Sequence, residues 1–290
     1  MYFSSEMKTK KILLFKSFHS FATLPHIMMT FLFLILPSCS KEADELRGVT
    51  IFCFGDSLTS TSSYPYTISK KTGASATNCG IGGAQLGRDI DNTAYQAMSM
   101  SSITDALCSG DWTNVIAGAT EAWKQDGFDQ SEIVSKIVSM DYSTADVFTL
   151  FYGTNDFGNE RPIGLNSDTT PETFKGAINY VITRLKASYP TVQLIFFTPV
   201  WRARNILGDG KESNTYPNPA GIYLIQYVDA LLEVCALHDV DVFDTYRSSD
   251  INTEHEKKYL LDGLHLSRAG ADHLGVLFAE QLKILIPKTE

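Results

Sequence analysis

The sequence predicts an α/β protein built on a mostly parallel sheet with helices on both faces. Three observations carry this expectation. Short continuous apolar runs recur along the chain, the longest of them ended by Gly or Pro, as suits strands buried on both faces. Amphipathic helical patterns separate the runs. Polar clusters rich in Gly, Asn, Asp, Ser and His follow them, at the carboxyl strand ends where open parallel sheets place their sites.

The elements can be justified in chain order. Residues 1–38 read as an export signal: Lys8, Lys10, Lys11 and Lys16 form a basic region, and Ile27–Leu36 an apolar stretch too short for a stable membrane span. That stretch ends in Leu36-Pro37-Ser38-Cys39, which resembles the lipobox of bacterial lipoproteins. The resemblance implies lipidation at Cys39, and Ser40 after it favours an outer membrane; a plain signal peptide is the alternative. Residues 39–48 are polar and acidic and read as a tether, leaving 49–290 as the domain.

Val49–Phe54 is the first strand, ended by Gly55. Ala74–Asn78 is a weak second strand, placed mainly by its position. Asp146–Tyr152 repeats the first pattern before Gly153, Val192–Thr198 does so before Pro199, and Val240–Phe243 is a shorter version. Between the second and third strands lies far more chain than one crossover needs. We read residues 85–143 as a helical insertion at the rim of the site, with helical patterns at Ala97–Leu107 and Ser131–Met140. A further helix carries Phe174, Ile178, Val181, Ile182 and Leu185 on one face. Asn218-Pro219 reads as N-cap and first turn of the next helix, and Ser267 as the cap of the last.

Four clusters carry chemistry: Gly55-Asp56-Ser57-Leu58-Thr59, Asn78-Cys79-Gly80-Ile81-Gly82-Gly83, Gly153-Thr154-Asn155-Asp156 and Asp262-Gly263-Leu264-His265. A serine hydroxyl is a weak nucleophile until a base takes its proton. An imidazole near neutrality is the natural base, and Asp262, three residues before His265, can fix its tautomer. His238, His255 and His273 lack that Asp-x-x-His context. Gly80-x-Gly82 hints at a phosphate loop, but Gln85 stands where a third glycine belongs, which disfavours dinucleotide binding. No G-x-S-x-G elbow surrounds Ser57, which argues against an α/β-hydrolase fold.

The four clusters together resemble the signature blocks of the SGNH (GDSL) hydrolase family, over about residues 49–285. The resemblance implies a three-layer, flavodoxin-like fold with a five-stranded sheet in the order 2-1-3-4-5. It also implies ester hydrolysis through an acyl-enzyme. By matching position, Ser57 corresponds to the nucleophile, Asp262 and His265 to the rest of a triad, and the Ser57 N–H, Gly83 and Asn155 to oxyanion donors. Asp156, Trp201 and Arg202 stand close enough in sequence to be considered as substrate contacts, with structural roles as the alternative.

Composition bounds the substrate class. The chain of 290 residues carries a net charge of −9; residues 1–38 contribute +3, which leaves −12 for the remainder. An acidic domain without a basic cluster is a poor partner for nucleic acid, and membrane association is expected only through Cys39. The remaining cysteines, Cys53, Cys79, Cys108 and Cys235, include no C-x-x-C pair and so suggest no zinc site. Export leaves a Cys79–Cys108 disulfide open. No metal or organic cofactor is needed for the expected chemistry. The reading is a serine esterase acting on small O-acyl groups, O-acetyl on carbohydrate foremost. The alternatives are a lipid-ester hydrolase, an acyltransferase of the same fold, and a non-catalytic glycan-binding lipoprotein.

Overall fold

The computed structural model describes residues 44–88, 92–203 and 211–287. The export signal and the first half of the expected tether, Cys39 included, lie outside the described residues. The end of that tether is packed: Leu46 is buried, and its N–H donates to the Thr72 carbonyl at 2.8 Å.

The chain alternates strand and helix. β1 (Thr50–Gly55) leads into a short α1 (Ser57–Ser60) and α2 (Tyr64–Thr72), and β2 (Ser75–Gly80) follows. Four helices come next: α3 (Thr93–Ala97), α4 (Met100–Ser109), α5 (Thr113–Asp126) and α6 (Ser131–Val138). Then come β3 (Val147–Phe151), α7 (Thr154–Gly158), α8 (Phe174–Ser188), β4 (Gln193–Phe197), α9 (Leu224–Leu237) and β5 (Asp241–Phe243). The short helices α10 (Thr245–Ser248) and α11 (Glu256–Tyr259) precede the long α12 (Arg268–Leu285). The five strands pair in parallel in the order β2-β1-β3-β4-β5.

Strand periodicity sorts the core into two halves, because successive side chains point to opposite faces. Ile51, Cys53, Val147, Phe151, Ile195 and Phe197 pack with Ile68 of α2 and with Leu274, Phe278 and Leu282 of α12. Phe278 lies flat on Phe197, ring centres 3.9 Å apart. The alternate residues Phe52, Phe54, Phe148, Leu150, Leu194 and Phe196 pack with Ile103, Val134, Ile178, Val181 and Leu231 on the other side. Both faces are covered, so each buried Phe or Leu contributes roughly 1.5–3 kcal/mol.

Register sets the site. Gly55 pairs with Gly80 and with Phe151, so β1, β2 and β3 end at one level. The order reverses between β1 and its two neighbours, the switch point at which such sheets open a crevice.

Several local expectations change. The pattern read as one helix over 97–107 is two: Ser99 turns extended and its hydroxyl accepts from the Ser102 N–H at 3.2 Å, starting α4. Asn218 does not cap α9. Its amide oxygen accepts from the Ile222 N–H and its own N–H donates to the Ile222 carbonyl, closing a separate turn. Tyr223 begins α9 instead, with its N–H donating to Gln226 Oε1 at 2.8 Å. The Cys79–Cys108 disulfide is not formed. The Cys79 thiol faces Met140 and the Cys108 thiol donates to the Arg184 carbonyl, and both cysteines are free. Cys108 faces α8 and Cys79 the segment after α6, so their side chains do not converge.

Candidate active site

The first strand delivers Ser57 onto the sheet's edge. Asp56 caps α1, its Oδ1 accepting from the Leu58 N–H at 2.8 Å. Ser57 therefore occupies the first helical position, where a backbone N–H has no intrahelical acceptor. The turn is pressed against the strands: a Cβ on Gly80 would lie 2.4 Å from the Ser60 nitrogen, so only glycine fits there. Asn78, at the end of β2, donates through Nδ2 to the Thr59 carbonyl at 2.7 Å and accepts from the Gly80 N–H at 2.9 Å. Its polar side chain at the end of a strand was the visible signal for this role, which sequence reasoning had left unassigned.

A second loop brings the base. Leu260 and Leu266 form an antiparallel bridge, and the Leu261 N–H donates to the His265 carbonyl at 2.8 Å, closing residues 261–265 into a tight loop. Inside it Asp262 Oδ1 accepts from the Leu264 and His265 N–H groups at 3.0 and 2.8 Å. Asp262 Oδ2 lies 2.7 Å from His265 Nδ1, and His265 Nε2 lies 3.1 Å from Ser57 Oγ. With a proton on Nδ1 shared with the carboxylate, Nε2 is left to accept the serine hydroxyl. Partial burial pushes the Asp262 carboxyl up, but the hydrogen bonds from the imidazole and the two N–H groups hold it below the usual carboxylate value. The loop after β4 steadies this arrangement, its Ala203 N–H donating to the Gly263 carbonyl at 2.8 Å.

The remaining donors converge from β2 and β3. Residues 81–84 form a turn closed by the Ala84 N–H and the Ile81 carbonyl. Gly83 has φ +76°, as the third position of a type II turn requires, and its N–H takes no part in that closure. Asn155, in the first turn of α7, donates one amide hydrogen to the Ala84 carbonyl at 3.0 Å. Its second amide hydrogen is left over. The Gly83 loop and Asn155 are thus fixed to one another beside Ser57's strand.

The three residues considered as substrate contacts are placed otherwise, and that expectation is corrected. Asp156 is fully buried; its oxygens accept from the Leu86 N–H at 2.9 Å, the Gly87 N–H at 3.1 Å and Arg161 Nε at 2.9 Å. Arg161 also reaches Gln85 Oε1 at 2.7 Å, so the pair locks the chain after β2 onto α7. Trp201 is buried and its indole N–H donates to Glu212 at 2.6 Å. Arg202 is buried over the Phe157 ring and donates to the Thr154 carbonyl and hydroxyl, both at 3.0 Å. Side chains so held shape the site without lining it. The rival histidines are engaged elsewhere: His238 with Asn179, His255 with Asp250, His273 with the Ser249 carbonyl.

Known proteins resemble this chain in sequence profile and in fold. The sequence profile of the GDSL-like lipase/acylhydrolase family matches residues 53–273. A GDSL esterase/lipase of Arabidopsis thaliana is 27% identical over 146 residues, covering 47% of this chain and 57% of that protein. The chain thus spans little more than half the length of that relative. A solved structure from Lactobacillus plantarum superposes with a TM-score of 0.61 at 20% identity, covering 83% of this chain and 99% of that one. A possible lipase from Chitinophaga pinensis does so with a TM-score of 0.52 at 17% identity, covering 82% and 98%. These two likenesses concern the fold. With the profile spanning most of the sequence and all four polar clusters inside it, the chain belongs to the GDSL-like lipase/acylhydrolase family.

Proposed function

We propose that Ser57 is the nucleophile, His265 the base and acid, and Asp262 the group that orients the imidazole. The observation that carries this is the unbroken chain Ser57 Oγ, His265 Nε2, His265 Nδ1 and Asp262 Oδ2, with steps of 3.1 and 2.7 Å. Ser57 Oγ attacks the ester carbonyl carbon as its proton passes to His265 Nε2. The negative charge on the former carbonyl oxygen is met by the N–H groups of Ser57 and Gly83 and the free amide hydrogen of Asn155. Collapse expels the alcohol, which takes the proton from His265. Water, deprotonated by the same nitrogen, then attacks the acyl-enzyme; the bond to Ser57 Oγ breaks, Oγ takes the proton back from His265 and the carboxylic acid leaves.

The substrate proposed is a small O-acyl ester, in the first instance an O-acetyl group on carbohydrate. Crowding at the Gly82–Gly83 loop supports a small acyl group: the Phe128 and Tyr95 rings sit directly on these two glycines. An acidic domain is consistent with a neutral glycan rather than an anionic surface. A second reading, lipid-ester hydrolysis, draws on exposed apolar side chains near the site, Phe128 and Leu261. Turnover of acetylated sugars against esters of longer acyl chains decides between them: the first reading requires a steep fall beyond short acyl groups, the second a rise. We further propose that the protein is exported and held in the bacterial envelope by a lipid on Cys39. Metabolic labelling with an alkynyl fatty acid should mark the wild type and spare Cys39→Ala.

A further inference from the structure

Three side chains from the helical region bear on the peptide that carries the Gly83 N–H. A Cβ on Gly83 would lie 2.6 Å from Tyr95 Cε1 of α3. A Cβ on Gly82 would lie 2.7 Å from Phe128 Cε1 and 3.1 Å from Gln130 Nε2. Phe128 sits in the link between α5 and α6 and is half exposed, whereas Gln130, immediately before α6, is 1% exposed. Among the described residues Gln130 Nε2 has no hydrogen-bond partner. A buried amide donor without an acceptor costs stability, and native folds keep few of them. This one is placed against the Gly82–Gly83 peptide.

We propose that Gln130 is a positioning residue for the oxyanion, a reading that rests on the assignment of the Gly83 N–H above. Its amide hydrogens are the positive end of a fixed dipole. Nε2 is closed off from water and the Phe128 ring lies beside it at Gly82, so little solvent reorganisation is needed when negative charge appears beyond the adjacent peptide. The dipole acts through its place next to Gly82–Gly83, without touching the substrate. The unpaired donor thus destabilises the resting fold and stabilises the tetrahedral intermediate.

The test separates this from a packing role. Gln130→Met keeps the side chain's length and removes the amide. In the full-length protein it should lower kcat on p-nitrophenyl acetate roughly tenfold, less than the loss of a direct donor, with KM changed less than about twofold. Its Tm should rise by about 2–4 °C because the unpaired donor is gone. Phe128→Ala should let water pair with the amide and lower kcat by roughly fivefold, with Gln130 unchanged. Wild-type kcat in Gln130→Met overturns the proposal, as does a fall of kcat and Tm together, which marks a packing residue. If Gln130→Met does not fold, wild-type kcat in Phe128→Ala overturns it. Ser57→Ala, measured alongside, keeps the two levels distinct: turnover retained there defeats the assigned mechanism itself, whereas an inert Ser57→Ala beside an unaffected Gln130→Met defeats only the role of Gln130.

Discussion

Two layers of carboxylates lie around the serine turn, and they behave in opposite ways. In the upper layer Asp262 is partly open to solvent and accepts from an imidazole and two backbone N–H groups. Its pKa falls below the usual carboxylate value. In the lower layer Asp56 and Asp156 are fully buried, with Arg202 and Arg161 close to them. Burial nevertheless dominates there. It raises Asp156 despite Arg161 and two N–H donors, and pushes Asp56 up to about 7 despite the Leu58 N–H and Arg202. The difference shows that a nearby cation does not by itself offset burial; access to water sets the direction of the shift first. The proposed acid–base chemistry sits where water reaches, above a desolvated layer that holds the neighbouring loops in place.

The sharpest way to break this division is to remove the upper layer's function and look for damage below. Ser57→Ala and His265→Ala should each lower kcat on p-nitrophenyl acetate by roughly 10⁴-fold or more, with thermal unfolding shifted by little. Asp262→Asn keeps the shape of the loop but leaves the imidazole without its charged partner. A fall of about 10³-fold in kcat is expected, again with Tm near the wild type. A large Tm loss in any of the three would mean that the upper layer is scaffolding as well.

The two layers were also unequally legible in the sequence. Ser57, Asn155, Asp262 and His265 could be found because each is a polar residue just after an apolar run or just before a capped helix, and parallel strands of one register bring such points together. The strands themselves were legible because burial on both faces leaves an uninterrupted apolar run. Arg202 and Asp156 could not be placed the same way. Arg202's partner, Thr154, is 48 residues away, and the N–H groups on Asp156 come from residues 69 and 70 positions earlier. α5 escaped notice for a different reason. Its buried face includes Val115, Ala119 and Ala122, and Gly118 lets it approach α3, where a Cβ would lie 2.7 Å from that of Ala97. Small residues at a close contact bury little area each and leave a weak periodic signal.

The lower layer is tested by stability. Arg161→Met removes the partner of a fully buried carboxylate and one donor to Gln85 Oε1 at once. Breaking such a pair from one side should cost about 3 kcal/mol in urea unfolding, more than the charge-neutral double variant Asp156→Asn/Arg161→Met. Activity measured well below the new Tm should fall less than in Asp262→Asn, because the serine and imidazole are untouched.

The smallest effect is the most specific to the comparison. Burial pushes the Asp56 carboxyl up to about 7, well above the usual carboxylate range. A raised carboxylate pKa means that the folded state holds a proton the unfolded chain releases earlier. The stabilisation it brings is therefore complete below about pH 4 and is lost as pH rises toward and through 7. Asp262 runs the other way: its contribution is present above the ordinary carboxylate value and is lost as pH falls through its depressed one. Asp56→Asn keeps a good N-cap for α1 and abolishes the titration. Between pH 5 and 7.5 the variant should gain on the order of 1–2 kcal/mol relative to wild type, read from urea unfolding at the two values. Parallel stability profiles for the two proteins across that range would mean that Asp56 is charged in the fold, and that the lower layer is solvated after all.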